Sequence, residues 1–221
     1  QKFGIDKISA RARRFGLVEY HDWPLSAVSR GVAPTRSWKQ KSFGKAWLLG
    51  DTVNASIGQG YVLASPLQLA IMAARLGTGR AVQPRLVQSI DETALPFGTG
   101  APLDVDPEHL KVVQRAMFAV TNTKKGTAYG KRIASPDLQM AGKTGTAQVR
   151  RITAEERLTG VIRNEDLPWE KRDHALFVDY APYDNPKVAV AVVVEHGGGG
   201  SATAAPIARD ITLFALTGEM P

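Results

Sequence analysis

The sequence predicts an α+β fold, a mostly antiparallel sheet flanked by helices. Two strand-favouring runs, Ala175–Tyr180 and Val188–Val194, are separated by the turn-forming Pro182-Tyr183-Asp184-Asn185-Pro186, as in an antiparallel hairpin. A third extended stretch, Gln139–Val149, precedes them, and apolar residues recur at helical spacing both before and after this block. The expected sheet comprises 139–149, 174–181 and 187–195, with the C-terminal helix on one face and the other helices opposite.

Taken in order, Ile5, Ile8, Ala12 and Phe15 mark a short amphipathic helix over 5–15, stopped by Gly16. From Leu17 to Gly60 the periodicity disappears and Gly and Pro punctuate the chain, which predicts a long irregular segment. Ser65-Pro66 supplies an N-cap and a first helical position for a buried helix running to Gly77 or Gly79. Arg85–Ile90 is expected to be a short strand, and Asp106-Pro107 opens a helix with Leu110, Val113, Met117 and Val120 on one face. Arg150 to Arg172 is polar and aperiodic, an excursion between strands. Val188–Val194 is apolar at every position, the pattern of a central strand covered on both faces. Gly197–Gly200 precedes an Ala-rich helix at 202–216. Between a strong strand and a helix, four glycines favour a tight backbone crossing over a flexible linker.

Composition narrows the chemistry. The 43% hydrophobic and 22% charged residues of this 221-residue chain are those of a globular domain, and no run approaches the ~18 apolar residues that span a bilayer. There is no Cys, so thiol nucleophiles, disulfides and thiolate metal sites are excluded. The four His are isolated from one another and from carboxylates at ligand spacing, so no metal and no cofactor are expected. The net charge of +7 is dispersed as a solvated basic surface, without the interleaved aromatic and basic residues of a nucleic-acid site. The N-terminus carries neither a start Met nor a signal pattern and is read as a cut into a longer chain.

One stretch suits acyl chemistry: Ala141-Gly142-Lys143-Thr144-Gly145-Thr146-Ala147-Gln148. On a strand, Thr144 and Thr146 share one face, so two hydroxyls beside the Lys143 ammonium form a carboxylate site. Gly145 lets a ligand backbone approach, and the N–H just after it can stabilise the oxyanion of a tetrahedral intermediate. Gly142-Lys143-Thr144 also ends a P-loop pattern, but the required first glycine is Asp137. An ordinary edge-strand Lys-Thr pair is the remaining alternative.

Three blocks in order resemble a known family. Ile57-Gly58-Gln59-Gly60-Tyr61 with Ala64-Ser65-Pro66-Leu67-Gln68 is similar to the segment that penicillin-binding transpeptidases carry between their second and third motifs. Ala141–Gln148 matches their third, Lys-Thr-Gly motif. Leu167-Pro168-Trp169-Glu170, Asp173-His174-Ala175-Leu176-Phe177 and Val194-Glu195-His196 followed by Gly197–Gly200 resemble the elongation-specific subgroup, penicillin-binding protein 2. The resemblance implies the C-terminal part of the transpeptidase fold shared with serine β-lactamases, and a peptidoglycan D,D-transpeptidase on the periplasmic face of the bacterial inner membrane. It also implies stem peptides and β-lactams as ligands, with a lipid-linked glycan polymerase and an elongation scaffold as partners. By matched position, Lys143 would lie beside the nucleophile, Thr144 and Thr146 would hold the substrate carboxylate beside Gly145, and the Thr146 N–H would donate to the oxyanion.

The family's nucleophile motif, Ser-x-x-Lys, is satisfied literally by Ser42-Phe43-Gly44-Lys45, in an aperiodic stretch unlike the buried helix start that the motif requires. Ser89-Ile90-Asp91 and Ser135-Pro136-Asp137 mimic the second motif equally by accident. Residues 1–221 are therefore expected to be the C-terminal portion of one domain, inactive alone, with the nucleophile-bearing part upstream. A non-catalytic scaffold domain and a β-lactamase-like hydrolase are the alternatives.

Overall fold

A computed structural model describes residues 3–19, 29–96 and 98–219. The chain forms two compact units, Gln1–Pro107 and Glu108–Pro221.

In the first unit, α1 (Ile5–Arg14) buries Ile5 and Ser9, and the Ser9 hydroxyl donates to the Ala33 carbonyl at 2.8 Å. Asp6 in its first turn and Arg11, Arg13 and Arg14 in its last complement the helix dipole. The segment expected to be irregular contains two helices, α2 (Arg36–Phe43) and α3 (Leu49–Ser56), while its residues 20–28 lie outside the described ones. Apolar periodicity missed α2 because the side chain it buries is Lys39, 4% exposed. The Lys39 ammonium pairs with Asp51 at 2.5 Å and lies 5.7 and 5.5 Å from the Trp47 and Tyr61 rings. Cation–π attraction and the ion pair together compensate its desolvation. The Asp51 carboxyl is held below its usual range, first by Lys39 and then by the Leu48 N–H.

Helix α4 (Pro66–Thr78) starts with the reciprocal Ser65–Gln68 capping box and ends at the left-handed Gly79. Its Arg75, 3% exposed, donates to the Arg14 carbonyl at 3.1 Å, the Val82 carbonyl at 3.2 Å and the Glu19 carboxylate at 2.5 Å. The strand expected at 85–90 shrinks to β1 (Ser89–Ile90), paired with β2 (Thr93–Ala94). The ladder is short because Asp91 and Glu92 turn the chain immediately, both at positive φ.

In the second unit, α5 (Pro107–Asn122) delivers two donors from its last turn to one acceptor. The Thr121 hydroxyl and the Asn122 amide both donate to the Met140 carbonyl, at 2.7 and 2.9 Å. Of the expected apolar face, Met117 is buried but Val113 is exposed. The sheet orders β3 (Ala141–Ala147), β4 (His174–Ala181) and β5 (Val188–Val194) antiparallel, with Thr144 opposite Phe177 and Phe177 opposite Val192. Among the described residues β4 lies between β3 and β5, so the apolar run Val188–Val194 borders this three-stranded sheet and is mostly half-buried.

Between β3 and β4 the chain is less irregular than expected. Thr153 caps α6 (Ala154–Thr159), and Glu156 reaches back to the Thr153 N–H at 3.0 Å and takes Arg150 at 2.8 Å. Arg150, then that N–H, hold the Glu156 carboxyl at about 2. The C-terminal helix α7 (Ala205–Thr217) follows a wide turn at Gly200–Ala204. Ala204, Ala205 and Ala208 pack with Ala175, Phe177, Ala181 and Val192 in the core, where Met140 joins them. Small residues on α7 let it approach the sheet closely.

Candidate active site on the Lys-Thr-Gly strand

The predicted strand forms, and its position is set by packing. Gly142 is buried because the Phe177 ring occupies the place of its missing side chain: a Cβ there would meet Phe177 Cζ at 2.5 Å. Alternation along β3 then puts Lys143 and Gly145 on one face, in register with Val178 and Leu176. Thr144 and Thr146 share the other, in register with Phe177 and Ala175. Lys143 and Thr146 are exposed and Thr144 and Gly145 half-buried, with β3 at an edge of the sheet.

Lys143 and Thr144 meet. The Lys143 ammonium donates to the Thr144 carbonyl at 2.7 Å and lies 3.4 Å from the Thr144 hydroxyl. That hydroxyl is 3.2 Å from the Thr127 hydroxyl. The arrangement concentrates one positive charge and two alcohols on an exposed strand edge, with Thr146 two residues on. It can hold a carboxylate through charge-assisted hydrogen bonds.

The glycine run proves to be a crossing. A Cβ on Gly200 would lie 2.3 Å from the Leu176 carbonyl oxygen, 2.5 Å from that of Gly145 and 3.1 Å from the Gly145 nitrogen. The chain entering α7 therefore lies directly on the Lys-Thr-Gly backbone, where only glycine fits. Beside it, Ser201 Oγ donates to the Thr127 carbonyl at 2.5 Å.

At the far end of β3, Ala147 is opposite His174. The His196 N–H donates to His174 Nδ1 at 2.9 Å, His196 Nδ1 is 3.0 Å from the Arg172 carbonyl, and the Trp169 ring packs on His196 at 4.3 Å between centroids. Asp173 accepts from the Val149 N–H at 3.4 Å and the Asn164 amide at 3.3 Å. These contacts pin the β3–β4 connection to the sheet end.

Sequence reasoning missed Thr127 and Ser201. Neither sits in a motif, and only the glycine run beside Ser201 signalled a close approach. Ser42 is exposed on the last turn of α2, and Gly44 ends that helix before Lys45, so the two never share a helical face. Ser89 lies in β1 and Ser135 precedes a 3₁₀ turn at Pro136–Leu138. A cavity of about 1070 Å³ in the first unit has an apolar lining that includes Phe3, Ile8, Trp47, Leu49 and Val53, with no nucleophile–base pair. Among the described residues, no group of three or more His, Asp or Glu is placed to hold a metal.

Comparison with known proteins gives the family of the chain. Residues 1–213 match the penicillin binding protein transpeptidase domain family. The chain is 37% identical to the peptidoglycan D,D-transpeptidase MrdA of Haemophilus influenzae over 99% of its own length and 34% of the relative's. It thus spans about a third of the curated relatives it matches. A crystal structure of Pseudomonas aeruginosa PBP2 in complex with WCK 5153 superposes with a TM-score of 0.79 at 34% identity, over 100% of this chain and 46% of that one. PBP2 of Helicobacter pylori in complex with MreC gives 0.78 at 30% identity, over 99% and 37%. The chain belongs to the penicillin-binding protein transpeptidase domain family.

Proposed function

We propose that the full-length protein is a peptidoglycan D,D-transpeptidase of the penicillin-binding protein 2 type, and that this chain carries its carboxylate- and oxyanion-binding strand. The observation that carries the reading is β3 itself, an edge strand with Lys143 and Thr146 exposed and the Thr144 hydroxyl beside the Lys143 ammonium. Thr144 and Thr146 hold the terminal carboxylate of a stem peptide or the carboxylate of a β-lactam, and Lys143 adds positive charge. Gly145 admits the ligand backbone, and the Thr146 N–H donates to the oxyanion as a serine hydroxyl adds to the acyl carbon. D-Alanine departs with the proton, and the amine of a second stem peptide resolves the acyl-enzyme. In this proposal a preceding segment supplies the serine, its lysine base and the second-motif serine, a reading supported by Ser42 and Lys45 not sharing a helical face.

The likeness to a PBP2 bound to MreC supports an elongation scaffold as partner, and the family supports a site of work on the periplasmic face of the inner membrane. A lipid-linked glycan polymerase is proposed on the same ground. No helix among the described residues is long and apolar enough to cross a membrane. Labelling with a fluorescent penicillin tests the reading: the full-length product becomes covalently labelled, and residues 1–221 alone do not. A label mapped to Ser42, or nitrocefin turned over rapidly in place of a stable adduct, overturns it.

A further inference from the structure

Thr127 lies in the turn between α5 and β3, where its backbone is fixed from three sides. The Gly126 N–H donates to the Thr123 carbonyl at 2.8 Å, the Ala128 N–H to the Val120 carbonyl at 3.0 Å, and Ser201 Oγ to the carbonyl of Thr127 itself. Neighbouring Ala128 is 1% exposed. A Cβ on Gly126 would meet the Val120 carbonyl oxygen at 2.3 Å, so this turn packs as tightly as the Gly200 crossing. With the Cα held, rotation of the side chain is the main freedom left to Thr127, and its hydroxyl is 3.2 Å from that of Thr144.

A threonine hydroxyl has one proton to give and two lone pairs to accept with. The Lys143 ammonium, 3.4 Å from Thr144 Oγ1, can only donate. If the Thr127 hydroxyl also donates, both lone pairs of Thr144 Oγ1 are taken and its single proton must point elsewhere, toward the open strand edge. If Thr144 donates to Thr127 instead, that proton is spent inside the protein and the oxygen faces an incoming carboxylate with lone pairs, which repel it. The first arrangement also polarises the Thr144 O–H, since each donated bond strengthens the next.

We infer that Thr127, anchored by Ser201, is a positioning residue that donates to Thr144 Oγ1 and so aims the Thr144 proton at the carboxylate of the bound ligand. The inference rests on the reading of β3 as a carboxylate site.

The test measures acylation of the full-length product by benzylpenicillin and by its methyl ester, with thermal unfolding recorded for each variant. Thr127→Val keeps the shape and removes the hydroxyl. It should acylate about tenfold more slowly with the free acid, the size of one lost hydrogen bond, with the ester rate unchanged. Thr127→Ala, a smaller side chain at this exposed position, should repeat that selective loss, and Thr127→Ser should restore the free-acid rate. Equal slowing of acid and ester, failure of Ser to restore, or free-acid rates in Val and Ala that match the unaltered protein while Thr144→Val is slow would each overturn the role of Thr127 and leave the carboxylate site standing. Unaltered free-acid acylation by Thr144→Val would remove the carboxylate site and this inference together.

Discussion

The sharpest structural prediction concerns Gly200→Ala. A methyl group there meets the carbonyl oxygens of Leu176 and Gly145 at 2.3 and 2.5 Å, whereas ordinary carbon–oxygen contacts lie near 3.3 Å. Both obstacles are backbone atoms of residues paired across β3 and β4, so neither can rotate away. Either the chain entering α7 lifts by about 1 Å or the two strands part, at a cost of about 1–3 kcal/mol for overpacking. A 1 Å displacement beside a reacting group costs on the order of a hundredfold in rate, so benzylpenicillin acylation should fall with stability. Gly199 is the control: its ideal Cβ has nothing within 4 Å and its φ of −89° suits any residue, so Gly199→Ala should stay within about 0.5 kcal/mol. Urea unfolding and acylation rates of the two variants in the full-length product decide the matter. Equal midpoints and equal rates would refute the claim that Gly200 is a contact and not a hinge.

Two further predictions concern buried charge. Asp179 is fully buried, and desolvation, only partly opposed by the Thr212 hydroxyl at 2.8 Å, pushes its carboxyl up to about 7. An unfolded Asp titrates near 3.9, so the folded state holds the proton more tightly. The associated stability is complete below about pH 4 and is lost as pH rises through 7, by at most about 4 kcal/mol. Asp179→Asn should flatten the decline in urea midpoint between pH 5 and pH 8, and parallel curves for the two proteins would contradict this. Arg75→Met should cost about 3 kcal/mol, the lower end for a broken buried pair, by stranding the Arg14 and Val82 carbonyls and taking the cation from Glu19, which keeps the Gln83 amide. Arg75→Lys should recover only part of that, since an ammonium cannot span the same fork; full recovery in a thermal melt would count against the geometry.

What could be read from the sequence divides along physical lines. The hairpin, α1, α4 and the Lys-Thr-Gly strand were legible because their signals are local: alternation, caps and turn residues within ten positions. Helix α2 was not, because it buries an ion pair where a periodicity search looks for apolar side chains, although Thr35 and Gly44 at its ends were available as cap signals. Helix α6 was overlooked in the same way, with its Thr153-x-x-Glu156 box in plain view. At the candidate site, Lys143, Thr144, Gly145 and Thr146 are proposed from residue type and strand alternation. Thr127 lies 17 positions away from Thr144 and was found only through the fold.

The two donors on the Met140 carbonyl have a bearing on how this family tolerates length change. They clamp the chain one residue before β3 begins, so the phase of the strand is decided there and not by the loop that leads to it. An extra residue inserted at the exposed, irregular residues 134–135 would be absorbed upstream of the clamp. The same insertion between Met140 and Lys143 would turn the ammonium and both alcohols to opposite sides of the sheet, because a strand has a period of two. Natural insertions and deletions should therefore accumulate before this carbonyl and be absent just after it.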